Sequence, residues 1–250
     1  MRLALISDIH SNLPALEAVL AAIDERELGT VWCLGDVVGY GADPDACTEL
    51  VRERCELCLV GNHDLAVLGE IDVSTFSPAA ETAVEWTREE CKAATTEFLQ
   101  GLEPANDDGE VGLYHASPRN PVWEYVLSVD AAAECMAMQA RRVCFIGHSH
   151  VALHYTAPAN GDAASLADSA SGSAAAGGTR IELGEGRWLV NPGSVGQPRD
   201  GDARAAWLEL DTDEWTAEYH RVEYDIDRAA AAIAAAGLPD QLGARLYVGQ

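Results

Sequence analysis

The stretch RLALISDIHSNLPALEAVLAAIDERELGTVWCLGD, residues 2–36, decides the fold. Leu3–Ser7 is an apolar run that stops at Asp8, which predicts a buried strand. Asn12 is placed to cap a helix that has Pro14 in its first turn. Ala15, Leu16, Val19, Leu20 and Ile23 recur at helical spacing, and Gly29 follows the helix end. Val31–Leu34 reads as the next strand and stops at Gly35-Asp36. Strand, helix and strand in this order form a β-α-β unit, the mark of a parallel or mixed sheet with covering helices.

The pattern repeats along the chain. Pro44–Arg54 reads as a helix and Leu57–Val60 as a strand that runs into Gly61-Asn62-His63-Asp64. Pro78–Leu99 reads as one long helical stretch. Val111–Tyr114 is a strand that ends at His115. Ala131–Ala140 is a helix, and Val143–Ile146 is a strand that ends at Gly147-His148-Ser149-His150. Thr156–Gly178 is rich in Ala, Ser, Gly and Asp with little to bury, which predicts a flexible loop inserted between two hairpin strands. Arg187–Val190 and Ala205–Leu210 look like strands of an antiparallel set, and Asp227–Ala236 like an Ala-rich helix stopped by Gly237. The expected organisation is one domain over residues 1–250, with the insert at about 156–178 and a helical segment from about 227.

Polar residues cluster after one apolar strand after another: Asp8, His10, Asp36, Asn62, His63, His115, His148 and His150. Five of the chain's seven histidines are among them. In open α/β sheets, ligands bind beyond the carboxyl ends of the strands. Asp8 and His10 are two residues apart, so an extended backbone would point both to one side, and His148 and His150 repeat that spacing. Carboxylate, imidazole and one amide suit a borderline divalent ion such as Mn²⁺, Fe²⁺, Co²⁺ or Zn²⁺, not Ca²⁺, which takes oxygen ligands only. The set exceeds what one tetrahedral ion needs, so two ions are expected, with Asp36 able to bridge them. Each fragment alone is an ordinary turn or cap; their joint occurrence in chain order carries the reading.

Composition narrows the partners. The net charge of −25 disfavours a nucleic-acid polymer, whose phosphates call for basic patches. No run is long and apolar enough to cross a bilayer, and MRLALISD leads directly into acidic and imidazole residues, so neither an anchor nor a signal peptide is expected. Cys55 and Cys58 form a CxxC with no second pair to complete a zinc site, which predicts buried, reduced thiols and a cytoplasmic setting. Lys92 is the single lysine among 16 basic residues. Such an acid-rich, lysine-poor composition resembles proteins of salt-loving microbes, where at about 1 M salt a Debye length of roughly 3 Å screens self-repulsion. An acidic protein from a GC-rich genome would share it.

Asp8-Ile9-His10, Gly35-Asp36, Gly61-Asn62-His63-Asp64, His115 and Gly147-His148-Ser149-His150 resemble, in type and order, the motifs of the calcineurin-like metallophosphoesterase superfamily. SDIHSNLPALEAVL, CLGDVVGYGADP, HASPRNPVWEYV and NPGSVGQPRDGD are similar to its small prokaryotic phosphodiesterase branch. The resemblance implies an α/β (α+β) fold, a four-layer αββα sandwich of two mixed sheets flanked by helices. It implies one ion on Asp8, His10 and His150, a second on Asn62, His115 and His148, and Asp36 bridging. Mn²⁺ is the first choice of metal, with Fe²⁺, Co²⁺, Ni²⁺ or Zn²⁺ as alternatives. It further implies a phosphoric ester hydrolase, in which a hydroxide bridging the two metals attacks a phosphodiester and His63 protonates the leaving group.

The protein phosphatase branch carries an Asp-Arg pair three residues after the bridging aspartate. Gly39 and Tyr40 stand there instead, which argues against a protein phosphatase and leaves open what orients His63; Asp64 is one candidate. Arg119 and Arg199 are candidate substrate contacts, Asn191 lies in the same loop as Arg199, and His154 and His220 read as ordinary residues. Tyr40 reads equally as substrate-facing or packing. The expected partner is a small phosphate ester, nucleotide-like esters included, and a homo-oligomer is compatible with the sequence. A phosphomonoesterase or nucleotide phosphatase would use the same site. A non-catalytic protein-binding scaffold of the same fold would not need the intact ligand set with His63.

Overall fold

A computed structural model describes residues 1–250. Strand β1 (Arg2–Ile6) leads to helix α1 (Leu13–Glu25), whose N-cap Asn12 accepts a hydrogen bond from the Ala15 amide. Then follow β2 (Val31–Cys33), α2 (Pro44–Arg54), β3 (Leu57–Cys58), α3 (Asn62–Leu68), α4 (Pro78–Glu90) and α5 (Ala93–Gln100). The middle of the chain holds β4 (Ala105–Asn106), β5 (Gly112–Tyr114), α6 (Val129–Met138), β6 (Val143–Ile146), β7 (Ala152–Ala157), α7 (Ala163–Ala167) and β8 (Ser171–Ala174). The rest is β9 (Arg180–Glu182), β10 (Arg187–Pro192), β11 (Ala205–Asp211), β12 (Thr216–Val222), α8 (Ile226–Ala235), α9 (Asp240–Ala244) and a 3₁₀ turn at Arg245–Tyr247.

The strands form two six-stranded mixed sheets, in the orders β3-β2-β1-β11-β12-β9 and β4-β5-β6-β10-β7-β8. Strand alternation explains the layers. Leu3 and Leu5 of β1 enter an apolar layer between the sheets, with Val143, Phe145 and Leu208. Ala4 and Ile6 face the other way, onto Leu16, Val19 and Ile23 of α1. On the second sheet, Cys144 and Ile146 face outward onto Ala132, Ala133 and Met136 of α6. Both faces of each central strand are therefore covered, which is why β1 and β6 read as unbroken apolar runs. Helix, sheet, sheet and helix are the four layers expected. A further apolar cluster joins α4 to α8 and α9 and includes Tyr40.

Several local expectations change. The Pro78–Leu99 stretch breaks at Cys91-Lys92, where the carboxylate of Asp45 on α2 accepts from the Lys92 amide at 3.0 Å and from Thr95 Oγ1 at 2.5 Å. A neighbouring helix thus supplies the cap that starts α5, a tertiary contact invisible to periodicity. Gly61-Asn62-His63-Asp64 is not a turn but the start of α3, because Asp64 Oδ2 accepts from the Gly61 amide at 2.9 Å as half of a capping box. Arg187–Val190 and Ala205–Leu210 lie in different sheets, and β10 runs parallel to β6 on one side and antiparallel to β7 on the other. Within 156–178, α7 and β8 stand where an irregular loop is expected; β8 pairs antiparallel with β7, and fully buried Leu166 joins the apolar cluster under α6.

Candidate metal centre and cleft

Neither aspartate-histidine loop is extended. Asp8, His10 and Ser11 have φ of 54°, 50° and 52°, Asp36 has 54°, Tyr40 59°, and His148 and His150 64° and 58°. Only Glu27 and Trp215 adopt such angles elsewhere among non-glycine residues, so left-handed backbone is concentrated at this one place. Each such residue costs about 1–3 kcal/mol, and persists only where its surroundings over-determine it. The side chains therefore converge through tight kinks beyond β1 and β6, not through the alternation of a strand.

The surroundings that hold the kinks are visible. Ser194 Oγ donates to the Asp8 carbonyl at 2.7 Å, and the amides of Val195 and Gly196 donate to Ser7 and Asp8. Asn191 Nδ2 donates to the Gly147 carbonyl at 2.7 Å and to Ser149 Oγ at 3.0 Å. The NPGSVGQPRD loop thus straps both ligand loops, which gives Asn191 a positioning role.

The side chains form two clusters that share Asp36. Asp8, His10, Asp36 and His150 bring one ligand atom each within 4.8 Å of one another, and Asp36, His115 and His148 do the same. Asn62 joins the second through its Oδ1, 3.1 Å from His115 Nε2. Asp36 Oδ1 accepts from the His63 amide at 2.8 Å. Its Oδ2 has no hydrogen-bond partner and lies 3.5 Å from His10 Nε2 and 3.6 Å from His115 Nε2. Gly61 permits this approach, because a Cβ there would meet Asp36 Oδ1 at 2.0 Å.

This arrangement fits cations. His10, His115 and His150 each place Nδ1 on a main-chain carbonyl, of Val38, Leu34 and Gln197, at 3.2, 2.9 and 2.6 Å. Those bonds assign the hydrogen to Nδ1 and leave Nε2 a bare lone pair, the arrangement common to metal-ligating imidazoles. His10 Nε2 and His150 Nε2 then face each other at 3.0 Å, two acceptors that repel without positive charge between them. His148 Nε2 is buried without a partner. Burial pushes Asp8 up to about 7 and Asp36 well above the carboxylate range, while burial pushes His10 and His150 well below the usual imidazole value and His148 down to about 3. Neutral imidazoles beside carboxylates reluctant to ionise are what divalent ions would resolve.

A cleft of about 430 Å³ opens over the centre, lined by Asn62, His63, His148, Tyr40 and Arg199 together with Phe76, Trp123, Tyr125 and Arg245. His63 is held by rings rather than by an acid. Its ring lies 4.2 Å from Tyr40, 4.8 Å from His10 and 4.9 Å from Phe76. Asp64 is committed to the amides of Gly61 and Val38, so it does not orient His63. Gly39, at φ +89°, makes room: a Cβ there would meet His63 Nδ1 at 2.6 Å. With Nδ1 buried beside Gly39, Nε2 is left for the cleft. Burial, followed by the Arg199 charge, holds His63 well below its usual value.

Arg199 reaches the cleft, with its guanidinium 5.7 Å from the centre of the Tyr40 ring and Nη2 bonded to Gln197 Oε1 at 2.8 Å. Tyr40 is therefore mainly a packing residue that fixes His63 and Arg199. Arg119 does not line the cleft; Glu124 and Glu134 engage its guanidinium. His154 and His220 also lie outside it, His220 stacked on Trp207 at 4.1 Å. All seven cysteines are free thiols. No helix is long and apolar enough to cross a membrane. Arg245 and Phe76 went unread in the sequence, since no motif marks them; Trp123 and Tyr125 lie in the HASPRNPVWEYV phrase, but only the fold brings their rings to the cleft.

Layered sheets with paired acid–imidazole clusters beyond their strand ends define a metallophosphoesterase-type centre, able to hold metal ions. Residues 1–213 match the calcineurin-like phosphoesterase superfamily domain, and the chain belongs to that superfamily. It is 38% identical over 256 residues to the uncharacterized protein MJ0912 of Methanocaldococcus jannaschii, covering 99% of this chain and 98% of that one. It is 37% identical to a metallophosphoesterase from Sphaerobacter thermophilus, with a TM-score of 0.89 and coverage of 100% and 99%. The protein PH1004 of Pyrococcus horikoshii OT3, at 18% identity, TM-score 0.79 and coverage of 100% and 98%, shares the fold. Membership supports a phosphoric ester hydrolase.

Proposed function

We propose that the chain hydrolyses phosphodiesters of small molecules with water, at a centre of two divalent ions. The observation that carries this reading is Asp36, common to both ligand clusters, with an unpartnered Oδ2 between two bare imidazole nitrogens. Asp8, His10 and His150 would hold one ion and Asn62, His115 and His148 the other, with Asp36 bridging. Mn²⁺ suits this donor set, as do Fe²⁺, Co²⁺, Ni²⁺ and Zn²⁺. When bound, such ions supply Lewis acidity that makes water a nucleophile near neutral pH and offsets charge on the phosphoryl oxygens.

The chain's own groups do the rest. Arg199 orients the phosphoryl group through its guanidinium fork. His63 acts from Nε2, handing a proton to the leaving oxygen. Burial and the Arg199 charge disfavour its protonated form, and an anionic phosphate ester beside it favours that form. The test is a screen of the metal-reconstituted protein on monoesters and diesters, including cyclic nucleotides and dinucleoside polyphosphates, at low and high salt. Turnover of diesters above monoesters supports the proposal. Preference for monoesters makes the chain a phosphomonoesterase with the same centre, and absence of turnover on every aryl ester with Mn²⁺ favours a scaffold.

A further inference from the structure

The cleft carries two groups that the proposed hydrolysis does not use, Arg245 and Trp123. Arg245, from the 3₁₀ turn near the end of the chain, lines it together with Phe76, Trp123 and Tyr125. Of the chain's 15 arginines, seven pair with a side-chain carboxylate and eight do not, and of those eight only Arg199 and Arg245 line the cleft. Arg245 pairs with no side-chain carboxylate; its Nε donates to the main-chain oxygen of Gln250, and the terminal nitrogens of its fork have no protein partner. Partial burial, followed by the like charge of Arg199, lowers its proton affinity. Two guanidiniums facing one cleft without an acid between them repel each other, and an anion in the cleft relieves that repulsion.

The aromatic side is equally unspent. Trp123 is 37% exposed and Tyr125 51% exposed, although both are large apolar rings. Phe76 holds Trp123 edge-on, with centroids 5.7 Å apart and planes at 89°, and Tyr125 lies over His148 at 4.1 Å. The rings are thus fixed in place at the cleft and still open to it, which suits the stacking of a planar group at little entropic cost.

We infer that the cleft holds a second recognition site, in which Arg245 takes an anion other than the scissile phosphate and Trp123 a planar ring, so that the substrate is a phosphate ester of nucleotide type carrying a second phosphate. This rests on the phosphoesterase reading and adds the chemistry of the group that the cleft selects. Arg245 and Trp123 are specificity residues; they take no part in proton transfer.

The probes are ribose 5-phosphate, adenosine 5′-monophosphate and adenosine 3′,5′-bisphosphate. They are compared as competitors of bis(4-nitrophenyl) phosphate hydrolysis, and by calorimetric titration of the Mn²⁺-loaded protein, at fixed free metal. The bisphosphate should bind at least about tenfold more tightly than the monophosphate, as one charge-assisted hydrogen-bonded pair allows, and the monophosphate more tightly than ribose 5-phosphate. Arg245→Gln should collapse the first ratio toward one and keep the second, and Trp123→Ala should do the reverse. If Arg245→Gln fails to fold, Arg245→Lys, which keeps the charge and loses the fork, should give an intermediate first ratio. Equal affinities of the three probes for the wild-type protein overturn this inference while leaving hydrolysis intact. Absence of ester hydrolysis together with graded calorimetric affinities overturns the phosphoesterase reading instead.

Discussion

The site is assembled in two contrasting ways. The loops after β1 and β6 deliver Asp8, His10, His148 and His150 on left-handed backbone, held by hydrogen bonds from Asn191 and Ser194. Helix α3 delivers Asn62 and His63 from its first turn on ordinary backbone, held by the cap of Asp64. Strained loops allow ligands two residues apart to face one point, but only while an external strap over-determines them. A capped helix needs no strap, and its groups are fixed by ring packing and by the amide that meets Asp36. The proposed metal ligands thus depend mainly on loop buttressing, and the proposed proton donor on packing.

The largest effect is expected at the helix. His63→Ala should retain metal and lose about 10²–10⁴-fold in turnover on an ester with a poor leaving group. It should lose much less with nitrophenolate, which hardly needs protonation. Equal losses on both substrates would remove the general-acid role. On the loop side, Asn191→Ala should lower metal affinity by about 10–100-fold, the usual scale for outer-shell partners. Metal titration checks this, and an unchanged affinity would show that the loops hold their shape unaided. Asp64→Ala should act mainly on stability. It leaves the buried amides of Gly61 and Val38 without an acceptor, at about 1–3 kcal/mol each, read by denaturant unfolding.

Protons sharpen the same contrast. Asp8 in the metal-free site sits at about 7, raised from 3.8 first by burial. Metal requires the carboxylate, so apparent affinity should fall as pH drops below about 7, by up to about tenfold per unit for this one group. Asp36, raised well above the carboxylate range by burial, adds a proton release of its own, whereas the neutral imidazoles of His10, His148 and His150 add none. A metal-binding curve flat between about pH 5 and 8 would contradict the burial of Asp8. The smallest effect is global. If the net charge of −25 is an adaptation to salt, the melting temperature should rise from low to molar KCl, and no rise would remove that idea.

Much of this was legible in the residues. The β-α-β reading of residues 2–36 and the apolar runs of β1, β2 and β6 pointed to a sheet with covering helices, because strands covered on both faces leave a strong signal, whereas the four layers followed only from the family resemblance. The ligand candidates were legible because acid and imidazole recur after strand after strand. The backbone that converges them was not: a two-residue spacing is equally compatible with an extended strand, and only the fold shows φ near +50° at Asp8 and His10. The break between α4 and α5 was hidden because its cap, Asp45, lies on α2. Arg119 misled because its nearness in sequence to His115 says nothing of Glu124 and Glu134, which occupy it. Arg245 lies 95 or more residues from any ligand candidate and reaches the cleft only through the packing of α8 and α9.

The most direct measurement is the metal content of the reconstituted protein and of Asp36→Ala, by elemental analysis after exhaustive dialysis against trace metal. Two ions per wild-type chain are expected, with occupancy clearly reduced in the variant because both clusters lose a shared ligand. Full occupancy by two ions in Asp36→Ala, or a single ion in the wild type, would contradict the bridged centre.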